Sequence, residues 1–94
     1  MKIRSVRHRG LSRLIENDDS REIGGDLVRR VRAILTPLLA APDFDHFTPR
    51  PGWRMHQLKG DRAGTWSLSV SGNWRITFEI EAGEIANLDL EDYH

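Results

Sequence analysis

Residues 66–90 read Trp66-Ser67-Leu68-Ser69-Val70-Ser71-Gly72-Asn73-Trp74-Arg75-Ile76-Thr77-Phe78-Glu79-Ile80-Glu81-Ala82-Gly83-Glu84-Ile85-Ala86-Asn87-Leu88-Asp89-Leu90. No other part of the chain constrains the architecture as tightly. Trp66, Leu68 and Val70 alternate with serines, and Trp74, Ile76, Phe78 and Ile80 alternate with Arg75, Thr77, Glu79 and Glu81. Ala86, Leu88 and Leu90 alternate with Asn87, Asp89 and Glu91. A period of two puts apolar side chains on one face of a strand and polar ones on the other. Residues 71–73 and 81–84 are short enough to be hairpin turns, so the three strands pair antiparallel.

Working outward, Trp53 and Met55 alternate with Arg54 and His56, which predicts a fourth strand, joined to the next through residues 60–64. Residues 42–52 hold three of the four prolines and one glycine and read as a loop. Before it, Leu27, Val31, Leu35 and Leu38 follow one helical stripe, with Val28 and Ile34 beside it. Arg29, Arg30 and Arg32 fall mostly on the other side. Asp26 is the expected N-cap of that helix, and Pro37 is expected to kink it or end its regular part. Leu11, Leu14 and Ile15 predict a shorter helix over 8–17, and residues 2–6 alternate loosely as a short strand. The expected fold is therefore α+β: two N-terminal helices packed on one face of a mainly antiparallel sheet of four to five strands, with residues 1–94 a single domain. Arg75 and His56 fall on the polar parity of their strands, opposite the core aromatics.

The chain has 94 residues, of which 38% are hydrophobic and 30% charged, so its core is thin. It contains no cysteine, which excludes disulfides, thiolate catalysis and Cys-based zinc sites and fits a reducing cytosol. No apolar run is long enough to span a membrane, and no signal-peptide pattern opens the chain. The net charge of +0 hides an asymmetry. All 14 Lys and Arg lie in residues 1–75 with 8 acids, a balance of +6, while residues 76–94 hold 6 acids and no base. A basic face of that kind fits an anionic partner such as RNA, or a salt-bridged surface.

Three strings carry candidate chemistry: His56-Gln57-Leu58-Lys59-Gly60-Asp61, Gly72-Asn73-Trp74-Arg75-Ile76-Thr77-Phe78 and Glu91-Asp92-Tyr93-His94. Each residue alone has a plain structural reading. Lys59 fits a turn, Arg75 fits a cross-sheet partner of a glutamate, Tyr93 fits an anchor and Asp92 a solvated acid. Jointly they supply what RNA cleavage without a metal needs. A general base takes the 2′-hydroxyl proton, fixed cations stabilise the phosphorane, and a general acid protonates the leaving 5′-oxygen. Imidazole has an unperturbed pKa of about 6.5 and can serve in either direction. The histidines are too scattered for zinc-ligand spacing, His8 and His46 have no partner spacing, and no cofactor is expected.

Read together, these strings resemble the HigB branch of the RelE/ParE toxin superfamily. Ile3-Arg4-Ser5, His8-Arg9-Gly10-Leu11, the stretch from Pro51-Gly52-Trp53 to Gly60-Asp61, Gly64-Thr65-Trp66-Ser67, Asn73-Trp74-Arg75-Ile76-Thr77-Phe78 and Glu91-Asp92-Tyr93-His94 carry the likeness nearly end to end. The resemblance implies a RelE-like microbial RNase fold and a toxin of a type II toxin–antitoxin system. It implies a cytoplasmic, ribosome-dependent endoribonuclease that cuts mRNA in the A site of the 30S subunit. It further implies a helix-turn-helix, HigA-like antitoxin partner, with operator DNA bound only through the complex. Carried over, the site set is His56, Lys59, Arg75, Asp92, Tyr93 and His94. Lys59 and Arg75 would contact phosphate, His94 would transfer a proton with His56 assisting, and Tyr93 and Asp92 would position the nucleotide or the imidazole. Arg4, Arg7, Arg9, Arg13, Arg29, Arg30, Arg32 and Arg54 are the expected RNA or ribosome contacts. Gln57 departs from the family pattern, where proline is common, and Asp89 is an unusually polar residue before Leu90-Glu91. Two other classes share the fold: a ParE-like toxin that inhibits DNA gyrase by binding, and a weakly active toxin serving mainly as operon co-repressor. The first lacks this His/Lys/Arg/Tyr/His set.

Overall fold

The computed structural model describes residues 1–92. Two helices, α1 (Arg9–Asn17) and α2 (Gly25–Ala40), precede four strands: β1 (His56–Gln57), β2 (Trp66–Ser69), β3 (Trp74–Glu81) and β4 (Glu84–Asp92). The strands pair in chain order, each antiparallel to the next, as the short connections require. Residues 2–6 run beside β4 and meet it through two parallel bridges, Ile3 to Ile85 and Val6 to Leu88, so the fifth position is a bridged margin.

One face of the sheet is buried. Leu68, Ile76, Phe78, Ile85 and Leu88 meet Leu11 of α1 and Val31, Ile34 and Leu38 of α2, and all are essentially inaccessible to solvent. Each such side chain contributes about 1.5–3 kcal/mol when removed from water, which is how 94 residues hold a two-layer fold. The loop over 42–52 is more structured than its prolines imply. It forms 3₁₀ turns at Phe44–His46 and Pro51–Trp53. Their aromatics close one end of the core: Phe44 lies 5.0 Å from Trp66 and 6.1 Å from Phe78, and Phe47 lies 6.3 Å from Trp53.

Several local expectations are corrected. The N-cap of α2 is Gly24, not Asp26; Asp26 sits in the first turn, where its charge still favours the helix dipole. Pro37 does not end α2, which continues to Ala40. The bond it removes belongs to the carbonyl of Ala33, an exposed residue. The first strand shrinks to two residues because Trp53 closes a 3₁₀ turn and Arg54 takes a left-handed backbone, φ 49° and ψ 50°. Gln57 joins the ladder opposite Trp66.

The alternation in β4 is broken by a bulge. Thr77 pairs with Asp89 and Glu79 with Ala86, so Asn87 and Leu88 together oppose Phe78. Asn87 has φ 53°, a conformation asparagine tolerates better than most residues. Its amide N–H donates to Ser5 Oγ at 2.8 Å and its side-chain amide to Glu79 Oε1 at 3.0 Å. The extra residue lets Ile85 and Leu88 both face the core, and it sends Ala86, expected inward, to the opposite face beside Glu79.

Helix α1 starts on a histidine cap. His8 Nδ1 accepts the Leu11 N–H at 3.1 Å, and Gly10 lies against the ring. A Cβ on Gly10 would come within 2.8 Å of His8 Cε1 and 3.1 Å of Glu22 Cβ. Alanine is favoured over glycine in helices by up to about 1 kcal/mol, but overpacking costs about 1–3 kcal/mol. Gly10→Ala should therefore lower stability by about 1 kcal/mol, measured by thermal unfolding. A melting temperature at or above the parent's would contradict the cap packing.

Candidate active site

The sheet's second face carries the polar residues, and register fixes their neighbours. Residues directly opposite on antiparallel strands share a face, with Cβ atoms about 4.5–5.5 Å apart. One row runs His56, Ser67, Thr77 and Asp89 across all four strands; the next runs Ser69, Arg75 and Glu91. Arg75 and His56 are thus on the polar parity, as expected. Arg75 is half-buried, and His56 is exposed on β1, two strands or roughly 10 Å away across the sheet.

His56 is oriented by its own strand entry. Its Nδ1 lies 2.9 Å from the Arg54 carbonyl. Only a protonated ring nitrogen donates to a carbonyl, so Nδ1 carries the hydrogen and Nε2 is left for another partner. The left-handed Arg54 turns the chain so that this carbonyl meets the ring.

Lys59 stands at the start of a 3₁₀ turn, Gly60–Arg62, that follows β1. Gly60 has φ 68°, which a side chain would strain. The turn brings Lys59 to a cleft of about 260 Å³ that it lines with Arg62, Arg75, Glu91 and Asp92. Asp92 ends β4 opposite Trp74. Lys59, Arg75 and Asp92 thus line one cleft, with Asp92 on the parity of Trp74 at the end of the strand, and His56 occupies the row next to Arg75. Tyr93 and His94 lie outside the described residues. Among the described residues, no group of three or more His, Asp or Glu side chains converges as metal ligands would.

The expected RNA contacts divide into three groups. Arg9 and Arg13 share Glu22 at 2.9 Å each, Arg32 meets Asp18 at 2.5 Å, and Arg4 meets Glu81 at 3.8 Å. Arg29, Arg30 and Arg54 are exposed, and Arg30 and Arg54 line one cleft with Arg75. Arg7 lines a different, acid-rich pocket with Glu79 and Asp89.

The sequence reading missed a bidentate ion pair at the site. Arg62 Nη1 and Nη2 donate to the two oxygens of Glu91 at 2.8 and 2.6 Å, and the Thr77 hydroxyl donates to the same carboxylate. This bidentate clasp ties the turn carrying Lys59 to the end of β4. The Arg62 bonds, with help from Thr77 and the nearby Arg75 charge, hold the Glu91 carboxyl below the ordinary glutamate range, against the opposing effect of burial. Glu91 raises the Arg62 pKa in turn. No local spacing pointed to it, because Arg62 and Glu91 stand 29 residues apart.

Comparison with known proteins places the chain. Residues 4–94 match a family model described as the RelE-like toxin of type II toxin–antitoxin system HigB. The protein belongs to the HigB-like toxin family. Membership implies an antitoxin partner. A relative from Proteus vulgaris, named endoribonuclease HigB, is 37% identical over 92 residues, covering 98% of this chain and 99% of its own. Solved structures agree on the fold. A point mutant of Escherichia coli YafQ superposes with a TM-score of 0.59 at 14% identity, covering 95% of this chain and 92% of its own. A YoeB/ParE toxin from Agrobacterium tumefaciens superposes with 0.57 at 18% identity, covering 100% and 99%.

The clasp of this HigB-like toxin makes a pH prediction. Glu91 has a depressed folded pKa, so its contribution is complete above the ordinary value of 4.5 and is lost as pH falls through the folded value. At neutral pH, Glu91→Gln should cost about 1 kcal/mol, allowing for the partial exposure of Arg62. Thermal unfolding of parent and variant from pH 7 to 3 tests this. The gap should close on the acid side, and a constant gap would refute the assignment.

Proposed function

We propose that this toxin is a ribosome-dependent endoribonuclease acting on mRNA in the ribosomal A site, by side-chain acid–base chemistry without a metal. The observation carrying this reading is the convergence of Lys59 and Arg75 on one cleft at the end of β4, where the chain leads into Tyr93-His94. The name of the Proteus vulgaris relative, endoribonuclease HigB, supports it.

In this mechanism the 2′-oxygen attacks the adjacent phosphorus, and the bond from phosphorus to the 5′-oxygen breaks. The 2′-hydroxyl proton leaves to a base, and the departing 5′-oxygen gains a proton from an acid. The products are a 2′,3′-cyclic phosphate and a 5′-hydroxyl. Lys59 and Arg75 stabilise the added charge on the phosphorane. His56 presents Nε2 outward because Nδ1 is held by the Arg54 carbonyl, so in its neutral form it is suited to accept the 2′-proton. His94 is assigned as the acid, the second imidazole of the site set and the counterpart of His56. Asp92 and Tyr93 position the nucleotide or the imidazole. The ribosome supplies the orientation of the scissile bond, which is worth several kcal/mol of barrier. A HigA-like helix-turn-helix antitoxin neutralises the toxin in the cytoplasm, and their complex binds operator DNA.

Arg75→Ala should keep the fold, because its side chain lies on the polar face, and should lose about 10²–10³-fold in cleavage rate. Single-turnover cleavage on programmed ribosomes, paired with thermal unfolding, measures both. Near-parental cleavage, or efficient and equally specific cutting of naked mRNA, would overturn the assignment. Deletion of His94 should abolish cleavage with little change in ribosome affinity. A deletion variant that cleaves at the parent rate would remove His94 from the mechanism.

A further inference from the structure

Arg75 is the shared wall of two clefts. On one side lies the cleft with Lys59, Arg62, Glu91 and Asp92. On the other is a cleft of about 440 Å³ lined by Arg30, Arg54, Ser69, Ser71 and Gly72. Among the described residues, its lining has three arginines, Arg75 included, and no carboxylate. Its parts come from separate elements. Arg30 projects from α2 and reaches toward the Val70 carbonyl at 3.5 Å. Arg54 is held in a left-handed conformation before β1, and the serines and glycine come from the end of β2 and its turn. Left-handed non-glycine backbone is disfavoured and persists where surrounding structure enforces it. Here it also fixes the His56 ring.

A third hollow on the polar face has the opposite character. Asp61, Glu79, Asp89 and Glu91 line it, with Arg7 and Arg62 as its cations. An RNA strand with its scissile phosphate at Arg75 must continue across the surface. Carboxylates repel its next phosphate, and the arginine cleft attracts it.

We infer that the Arg30–Arg54 cleft binds the backbone phosphate adjacent to the scissile one, so that the substrate strand runs from Arg75 toward α2 and away from the acid-lined hollow. This rests on the nuclease reading above. Arg30 and Arg54 bind and align the strand; they take no part in bond breaking. Gly72 allows an independent test of charge, because a Cβ there meets no atom within 4 Å.

The experiment is single-turnover cleavage by the full-length toxin on programmed ribosomes, as a function of toxin concentration. The mRNAs carry a neutral methylphosphonate at the phosphate on either side of the cleavage site, one at a time. Arg30→Ala and Gly72→Asp should each raise the half-saturating concentration about tenfold, with the saturating rate nearly unchanged. Neutralising one of the two flanking phosphates should reduce that penalty to less than about twofold, while neutralising the other leaves it intact. A penalty that survives both substitutions would mean that the arginines contact ribosomal RNA instead, and would overturn the inference. Parental behaviour of both variants, with folding verified by thermal unfolding, would do the same. Failure of the parent to cleave any programmed ribosome would bring down the nuclease reading, and this inference with it.

Discussion

Burial of Phe78 at the centre of β3 is the constraint on which the remaining arrangement depends. Its side chain has no solvent exposure, packs against Phe44 and sits between Ile76 and Ile80 on the face that the helices cover. Because a strand alternates strictly, fixing Phe78 inward fixes Arg75, Thr77 and Glu79 outward. A slip of one residue would exchange the two sets and set charged side chains against α2. The position of Arg75 is therefore a consequence of hydrophobic packing, and the stability of the core and the geometry of the cleft cannot be varied independently at β3.

The same argument explains how much was legible in the sequence. Trp66 to Ser69 and Trp74 to Glu81 are half-buried, hairpin-linked strands whose pattern is complete in the local sequence, and both form where the alternation places them. The pattern failed where a long-range contact overrides it. Nothing near Asn87 announces a bulge; it is held by Ser5, 82 residues away, whose Oγ accepts a hydrogen bond from the Asn87 N–H, and by the burial of both Ile85 and Leu88 in the core. Trp53 and Met55 alternate like a strand, but Trp53 is drawn into the aromatic cluster with Phe47 and leaves β1 only two residues. Histidine is an uncommon cap, so the role of His8 needed the structure.

The site was readable in a similar measure. Arg75 and His56 could be assigned to the polar face from parity alone, and the likeness to HigB toxins supplied their chemical roles. The Arg62–Glu91 clasp spans 29 residues and joins a turn to a strand that is not its neighbour in the chain, so no spacing rule reaches it. Its effect is specific. Glu91 stands beside the cations that would receive a phosphate, yet its two oxygens are occupied by Arg62 and Thr77. The carboxylate is compensated in place, and the turn that carries Lys59 is ordered before any ligand arrives, which lowers the entropy lost on binding.

The +6 and −6 segments of a formally neutral chain have a further consequence. A neutral body in the nearly uniform field far from a polyanion feels almost no net pull, but a separated pair of charges feels a torque. The arginine cleft and the acid-lined hollow, set on either side of Arg75, give that torque a direction. Approach to RNA would then be governed by rotation before attraction. The molecule is turned so that its arginines lead, and strong Coulombic capture begins only once the gap falls within a Debye length, about 8 Å at physiological salt.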